Sequence, residues 1–170
     1  LMLRFLTDSS QTVEVVTTCD PEVLCDDTQR QLYLESGDIE ALESVGEGAT
    51  CFTLKALSPS EREQAEVRAG ALQRSELGRL LWSEAPSSST DRARWHHELS
   101  DDEREAMAEY QAYLSRVYLE MIRGSLVHID GEEASVEQLN MIRPDSHRIQ
   151  VISELVLHIQ RISLLGIEGK

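Results

Sequence analysis

The sequence is poor in aromatic residues, in cations and in long apolar runs, and each shortage argues against a class of protein. Aromatic residues make up 5% of the 170 residues, so a buried core must rest on Leu, Ile, Val, Ala and Met, which pack well between helices. No apolar run approaches the roughly 20 residues that span a bilayer. The segment from Leu1 to Leu6 is too short for a signal peptide, and we therefore expect a cytosolic protein.

Cations are few, because Lys and Arg number 16 against 31 Asp and Glu, which gives a formal net charge of -15. Nucleic acids and anionic lipids are both bound by clustered cations, so we expect neither nucleic acid nor a membrane as a partner. The acidic balance favours a protein partner that carries a basic patch. The alternative is that the acidity only keeps the protein in solution.

The three cysteines, Cys19, Cys25 and Cys51, are an odd number without a secretory signal, so we expect reduced thiols. Five residues separate Cys19 from Cys25, which does not fit the usual spacing of zinc ligands. The sequence also lacks a phosphate-binding glycine loop, a nucleophile elbow and a metalloprotease helix. We therefore predict a protein that is not an enzyme and needs no cofactor.

Histidines supply the remaining candidates for chemistry. His96 and His97 are adjacent, so on a helix they point about 100° apart and chelate a metal poorly. His147, Glu154 and His158 lie near one helical face at spacings of seven and four residues. They lack the further ligands and supporting partners of a zinc site, so we predict no metal, with Glu154 and His158 paired on a polar edge. An enzyme site built on these three residues is the alternative.

Residues 1–57 carry most of the strand signal. Residues 12–18 are rich in β-branched side chains, and residues 50–56 alternate between apolar and polar side chains. We predict a small β element from these two segments and residues 3–6, with a short helix at 38–43.

Residues 58–170 are predicted as one helical domain. Ser58, Pro59 and Glu61 form a strong helix start with a capping box, and this helix is expected to run to Trp82 with a possible break near Gly78. Its predicted buried stripe consists of Ala65, Ala69, Leu72, Leu80 and Leu81. The Ser-rich sequence that follows predicts a loop near residues 84–95.

Four further elements complete this domain. Ser100 and Glu103 form a second capping box, and apolar residues at spacings of three and four predict a long helix that stops at Gly124. Asp130-Gly131 predicts a type I′ turn, and Ser135 caps a short helix. The last helix is predicted over residues 145–165, with a stop at Gly166. The predicted fold is therefore mainly α, a helical bundle with a small β-rich N-terminal element (α+β).

The terminal helix has the strongest apolar face in the chain, and we predict this face as the partner-binding surface. Its predicted contact residues are Ile149, Ile152, Leu155, Val156, Ile159 and Ile162. An exposed apolar face of this kind serves either a client protein or another copy of the chain, so a homo-oligomer stays open.

Two local patterns carry a resemblance to a known family. In residues 52–63 a strand leads through Leu57-Ser58 to the Glu that opens a helix. In residues 151–165 a Glu-Leu helix runs into Ile162-Ser163-Leu164-Leu165, and the sequence closes on Gly169-Lys170. With the order of predicted elements, these patterns resemble the tail assembly chaperones of long-tailed bacteriophages.

The resemblance implies a binding function without catalysis. Such proteins bind the long helical tape measure protein in the host cytoplasm and keep it soluble while tail tube subunits polymerise around it. It therefore implies the tape measure protein as partner and the tail tube protein as a second one. Two alternatives remain open: an acidic decoy that inhibits a host protein, and a head-tail adaptor of the virion.

Overall fold

The computed structural model describes residues 12–165, and in this range the chain is mainly helical with a small antiparallel sheet, which confirms the predicted fold class. The helices are α1 (Asp27–Ser36), α2 (Pro59–Arg68), α3 (Glu76–Glu84), α4 (Ser89–Glu98), α5 (Asp101–Ser125) and α6 (Asp145–Leu165). Short 3-10 helices occupy Ile39–Ala41, Ala71–Gln73 and Val136–Met141. None of the helices in residues 12–165 combines the length and the hydropathy that crossing a bilayer requires.

The strands are β1 (Thr12–Val15), β2 (Val23–Leu24), β3 (Ser44–Val45), β4 (Phe52–Lys55), β5 (Leu126–Ile129) and β6 (Glu132–Glu133). The larger sheet has the order β1-β4-β5-β6, and each neighbouring pair is antiparallel. β1 and β4 confirm the strands predicted within residues 12–18 and 50–56, with Val15 opposite Phe52. The strand predicted at residues 3–6 lies outside the described residues, as does the helix stop predicted at Gly166.

Local sequence signals set several element ends. Asp130 and Gly131 have φ angles of 52° and 79°, as the predicted type I′ turn between β5 and β6 requires. Ser58 and Ser100 each form the predicted capping box, in which the serine accepts the backbone N–H of the Glu three residues later and that Glu accepts the serine N–H. The Ser135 box with Gln138 opens a 3-10 helix.

The helix predicted from Ser58 to Trp82 is wrong in its length, because it consists of α2, a 3-10 turn and α3. The break is at Gly70, whose φ of 93° ends α2, and not near Gly78. Gly78 instead lies inside α3, where a Cβ atom would collide with the backbone of Ala106 on α5. Of the predicted stripe, Leu72 is 97% exposed and Leu80 is half exposed, since the break turns both away from the core.

The loop predicted near residues 84–95 is also shorter than expected, because α4 begins at Ser89. Ser88 caps this helix by accepting the backbone N–H of Asp91. The run of serines reads as a flexible segment by composition, yet serine is equally the preferred residue at a helix start. His96 and His97 are exposed near the end of α4.

The described residues divide into two compact units. The sheet unit consists of the described parts of residues 1–62 and 121–170, and the helical unit consists of residues 63–120. The predicted domain boundary lies between residues 57 and 58, whereas in the structure the terminal helix belongs with the amino-terminal strands. Hydrogen bonds distant in sequence bring them together, since the N–H of Leu57 donates to Ser163 on α6.

Candidate protein-binding surface

The six predicted partner-binding residues of α6 divide between the core and the surface. Leu155, Val156, Ile159 and Ile162 are buried in the sheet unit, each no more than 3% exposed. Ile152 is half-buried, and Ile149 is 60% exposed. The face predicted to contact a partner is therefore mostly the face that holds α6 in its own fold.

The opposite face of α6 is exposed and uncharged. It consists of Ile149, Ser153, Leu157, Gln160 and Leu164, at spacings of four, four, three and four residues, and we call it the α6 stripe. Its three aliphatic side chains are 60%, 45% and 52% exposed. The hydroxyl of Ser153 donates to the Ile149 carbonyl, so its hydrogen-bonding capacity is used within the helix. The stripe thus presents three aliphatic and two uncharged polar side chains to solvent.

Helix α1 lies beside this stripe and forms because its ends are well capped. Asp26 and Gln29 form a capping box at its start, and Gly37 ends it with a φ of 72°. The sequence pattern of residues 29–34 suits either a short strand or one helical turn, and the structure shows a helix there. Between α1 and α6 runs a groove of about 490 Å³, lined by Asp27, Arg30, Gln31, Leu34, Glu35 and Leu157. Leu157 therefore belongs both to the groove and to the α6 stripe.

Arg161 fastens α6 to the end of α1. Its guanidinium donates to the carbonyl oxygens of Tyr33 and Leu34 at 3.5 and 3.3 Å, and the Tyr33 carbonyl also accepts the backbone N–H of Gly37. A Cβ atom on Gly37 would collide with this guanidinium. Glycine is therefore favoured at residue 37 by its positive φ, and a side chain there would also displace the guanidinium.

Glu154 is buried beneath the groove at 1% exposure and is held by donors from three segments. Its carboxylate accepts the backbone N–H of Thr18 at 2.6 Å and the hydroxyl of Thr18 at 2.7 Å. Arg30 of α1 donates at 3.2 Å and Gln150 of α6 at 3.3 Å. A buried carboxylate needs such donors to offset its lost hydration, so Glu154 joins the chain after β1 to both helices.

His158 is also fully buried, which corrects the predicted polar edge and its Glu154–His158 pair. Its ring stacks edge-on against Tyr33 with centroids 5.0 Å apart, and within residues 12–165 neither ring nitrogen has a hydrogen-bond partner. Burial, with a smaller contribution from the positive charge of Arg161, lowers the pKa of His158 to about 4. The imidazole is therefore neutral at physiological pH and serves as core.

Carboxylates are concentrated on the segment that contains α1. Residues 20–47 include nine Asp and Glu and a single cation, Arg30. All of these acidic residues except Asp20 are exposed. Arg30, the single cation, forms a salt bridge with buried Glu154. Leu24, Leu32 and Ile39 of the same segment are at least half exposed. The surface around α1 is thus both strongly negative and partly aliphatic.

A second cleft of about 430 Å³ lies elsewhere in the sheet unit, lined mainly by apolar side chains that include Phe52, Leu139 and Met141. Asp20 and His147 are its ionisable lining residues. Burial alone would raise the pKa of Asp20, but hydrogen bonds from the backbone of Thr50 and Glu22 outweigh it and lower the pKa. Asp20 is therefore an anchored acceptor that organises two loops.

The three cysteines are free, and their thiols are poorly suited to nucleophilic chemistry. Burial raises the pKa of all three thiols, and nearby carboxylates, Glu154 for Cys19 and Cys25 and Glu14 for Cys51, raise it further. Among residues 12–165 no three His, Cys, Asp or Glu side chains are placed to hold a metal ion. His147, near the second cleft, does not join Glu154 and His158 in the core.

The α6 stripe was missed because α6 carries exposed aliphatic side chains in addition to its buried apolar face. A helix of this kind is buried on most sides or presents a second apolar face, and periodicity alone does not say which face is core. The available signal was the absence of charge at residues 149, 153, 157, 160 and 164. No family model matches the sequence, and comparison with curated proteins and with solved structures also gives no match.

Proposed function

We propose that this protein acts by binding another protein, as an assembly chaperone of the phage-tail type. The observation that carries the proposal is the α6 stripe, on which Ile149, Leu157 and Leu164 expose aliphatic surface on a chain of net charge -15. Exposed aliphatic side chains that are aligned on one helix face, and not scattered singly, are typical of a contact site. The surrounding carboxylates keep such a protein in solution while its apolar face is free.

The resemblance of residues 52–63 and 151–165 to tail assembly chaperones names the client. The tape measure protein is long, helical and apolar, and an amphipathic client helix is bound by laying its apolar face against a complementary one. The chaperone would act in the host cytoplasm while tail tube subunits polymerise around the tape measure protein. The buried roles of Glu154 and His158 support binding over an enzyme site at these residues.

The acidic segment at residues 20–47 favours a second candidate function. In this alternative the protein is an acidic decoy that binds a basic surface of a host protein and thereby inhibits it. Nine carboxylates against one cation are an observation in its support. The exposed aliphatic side chains of Leu24, Leu32 and Ile39 count against it, because a mimic of nucleic acid offers charge without apolar surface. Binding of an apolar client is therefore the better supported function.

Co-expression with the tape measure protein of the same phage tests the proposal. We expect the tape measure protein to move from the insoluble to the soluble fraction and to copurify with this chain. An unrelated acidic protein of similar size is the control for a general solubilising effect. If the tape measure protein is equally insoluble with and without this chain, the proposed function is wrong.

A further inference from the structure

We propose that the α6 stripe and the groove between α1 and α6 together bind one amphipathic helix whose apolar face is flanked by Lys or Arg. This inference rests on the proposed function and names the site and the chemistry of the bound segment. Four observations lead to it. They are the length of the stripe, the groove beside Leu157, the negative charge around α1, and the pairing of the nearby cations Arg30 and Arg161 with other groups of the protein.

The stripe has the dimensions of a helix-binding face. From residue 149 to residue 164 it extends about 22 Å along α6, since an α-helix rises 1.5 Å per residue. Ile149, Leu157 and Leu164 are separated by eight and seven residues, so they stand about two turns apart on one side. A partner helix with apolar residues at matching intervals would contact all three.

The groove gives this face a concave edge. Its volume of about 490 Å³ falls within the usual size of binding clefts, and Leu34 and Leu157 supply apolar walls. A large apolar side chain of the partner helix fits beside Leu157, where it would be removed from water on both sides. Such a buried anchor typically carries much of the affinity of an interface.

The charge around the groove favours particular residues beside the apolar face of the partner helix. Asp27 and Glu35 line the groove, and both belong to exposed residues of the acidic segment. The two cations nearby are engaged, Arg30 with Glu154 and Arg161 with the carbonyls at the end of α1. The groove therefore presents negative charge to a partner, and Lys or Arg beside the apolar face would complement it.

The same charge disfavours a second copy of the chain as the occupant. Two copies docked through their α6 stripes would bring two acidic segments together, and like charges across an interface are unfavourable. A partner of opposite charge avoids this repulsion. The geometry thus points to a different protein with a basic, amphipathic helix.

Binding of designed peptides to the full-length protein tests this inference. Three fluorescent peptides of about 18 residues, roughly five turns, are compared: an amphipathic helix with Lys flanks, the same helix with Glu flanks, and a scrambled version of the Lys peptide. We expect the Lys-flanked helix to bind at least about tenfold more tightly than either of the others, with an affinity that falls as salt is raised. Similar affinity for the scrambled peptide would overturn the inference.

Protein variants locate the site. Leu157→Gln, at a half-exposed position, is expected to weaken binding of the Lys-flanked helix by about tenfold or more. Leu72→Gln, which removes an exposed leucine from the helical unit, is the matched control and should change affinity less than about twofold. Glu35→Gln is expected to weaken binding modestly and to reduce its salt dependence, whereas Glu84→Gln in the helical unit should do neither. Equal effects of Leu157→Gln and Leu72→Gln would refute the assignment.

Sedimentation of the wild type and of Leu157→Gln tests the remaining alternative, in which a second copy of the chain occupies the stripe. A wild-type dimer that becomes a monomer in the variant would identify the stripe as an interface between copies and overturn the inference. If Leu157→Gln still solubilises the tape measure protein and the peptides do not bind, the site is wrong and the proposed function survives. If the wild type solubilises no client either, the proposed function itself fails.

Discussion

Replacing His158 with Leu is expected to change how the stability of the protein depends on pH. His158 is fully buried on α6, its nitrogens lack partners within residues 12–165, and its pKa in the folded state is about 4. An unfolded histidine has a pKa near 6.5. Between these values the unfolded state binds more protons than the folded state, so the free energy of unfolding falls as the pH is lowered.

The magnitude follows from the two pKa values. Each pKa unit corresponds to 1.36 kcal/mol, so the loss attributable to His158 is about 1.4 kcal/mol at about pH 5.5 and about 2.5 kcal/mol at about pH 4.5. At neutral pH the substitution has opposing effects. It removes two unpaired buried nitrogens, which stabilises, and it loses the ring contact with Tyr33, which is worth about 0.5–1.5 kcal/mol. We therefore expect similar stabilities for the two proteins at about pH 7.5.

Urea unfolding followed by far-UV circular dichroism measures the difference. Trp82 and Trp95 both lie in the helical unit, so tryptophan fluorescence is a poor probe of His158 in the sheet unit. Carboxylates also titrate in this range, and subtracting the curve of His158→Leu removes their shared contribution. The wild type should lose about 2.5 kcal/mol more than the variant between about pH 7.5 and 4.5. Parallel curves for the two proteins would show that His158 does not titrate as the buried geometry requires.

Three further substitutions test the contacts around α1 and α6 through the free energy of unfolding. Glu154→Leu should destabilise by about 1–3 kcal/mol because it leaves the partly buried donors of Thr18 and Arg30 without their acceptor, whereas Glu43→Leu at an exposed position should change stability by less than about 0.5 kcal/mol. Equal effects would contradict a structural role for the buried carboxylate. Gly131→Ala should lower the free energy of unfolding by about 1–2 kcal/mol, because its φ is positive although the space around it is open. Gly37→Ala should lower it by about 1 kcal/mol more, because the Arg161 guanidinium must also move. The reverse order would be inconsistent with this contact. Tyr33→Phe should cost about 1–3 kcal/mol, since its hydroxyl both donates to and accepts from one buried backbone residue, and an unchanged stability would show that water replaces it.

Local chemistry determined the parts of this protein that depend on near neighbours in the chain. The capping boxes at Ser58, Ser100 and Ser135 set helix starts through hydrogen bonds that span three residues. Asp130-Gly131 determined its turn because both positions need a positive φ. The helical course of α6 after Pro144 also followed from its residues, since apolar side chains at spacings of three and four form one face that can be buried.

Tertiary structure alone decided which side of each element is buried and which polar groups meet. Thr18, Arg30 and Glu154 belong to three segments of the chain, and only the packing of α1 and α6 within the sheet unit makes one hydrogen-bonded cluster of them. The same packing placed His158 in the core, although its spacing from Glu154 is typical of an exposed pair. α6 carries aliphatic side chains on both faces, so its sequence determined a helix, while the position of the sheet determined that Leu155 is core and Leu157 is surface. Periodicity measures the directions of side chains, but burial depends on what lies opposite them.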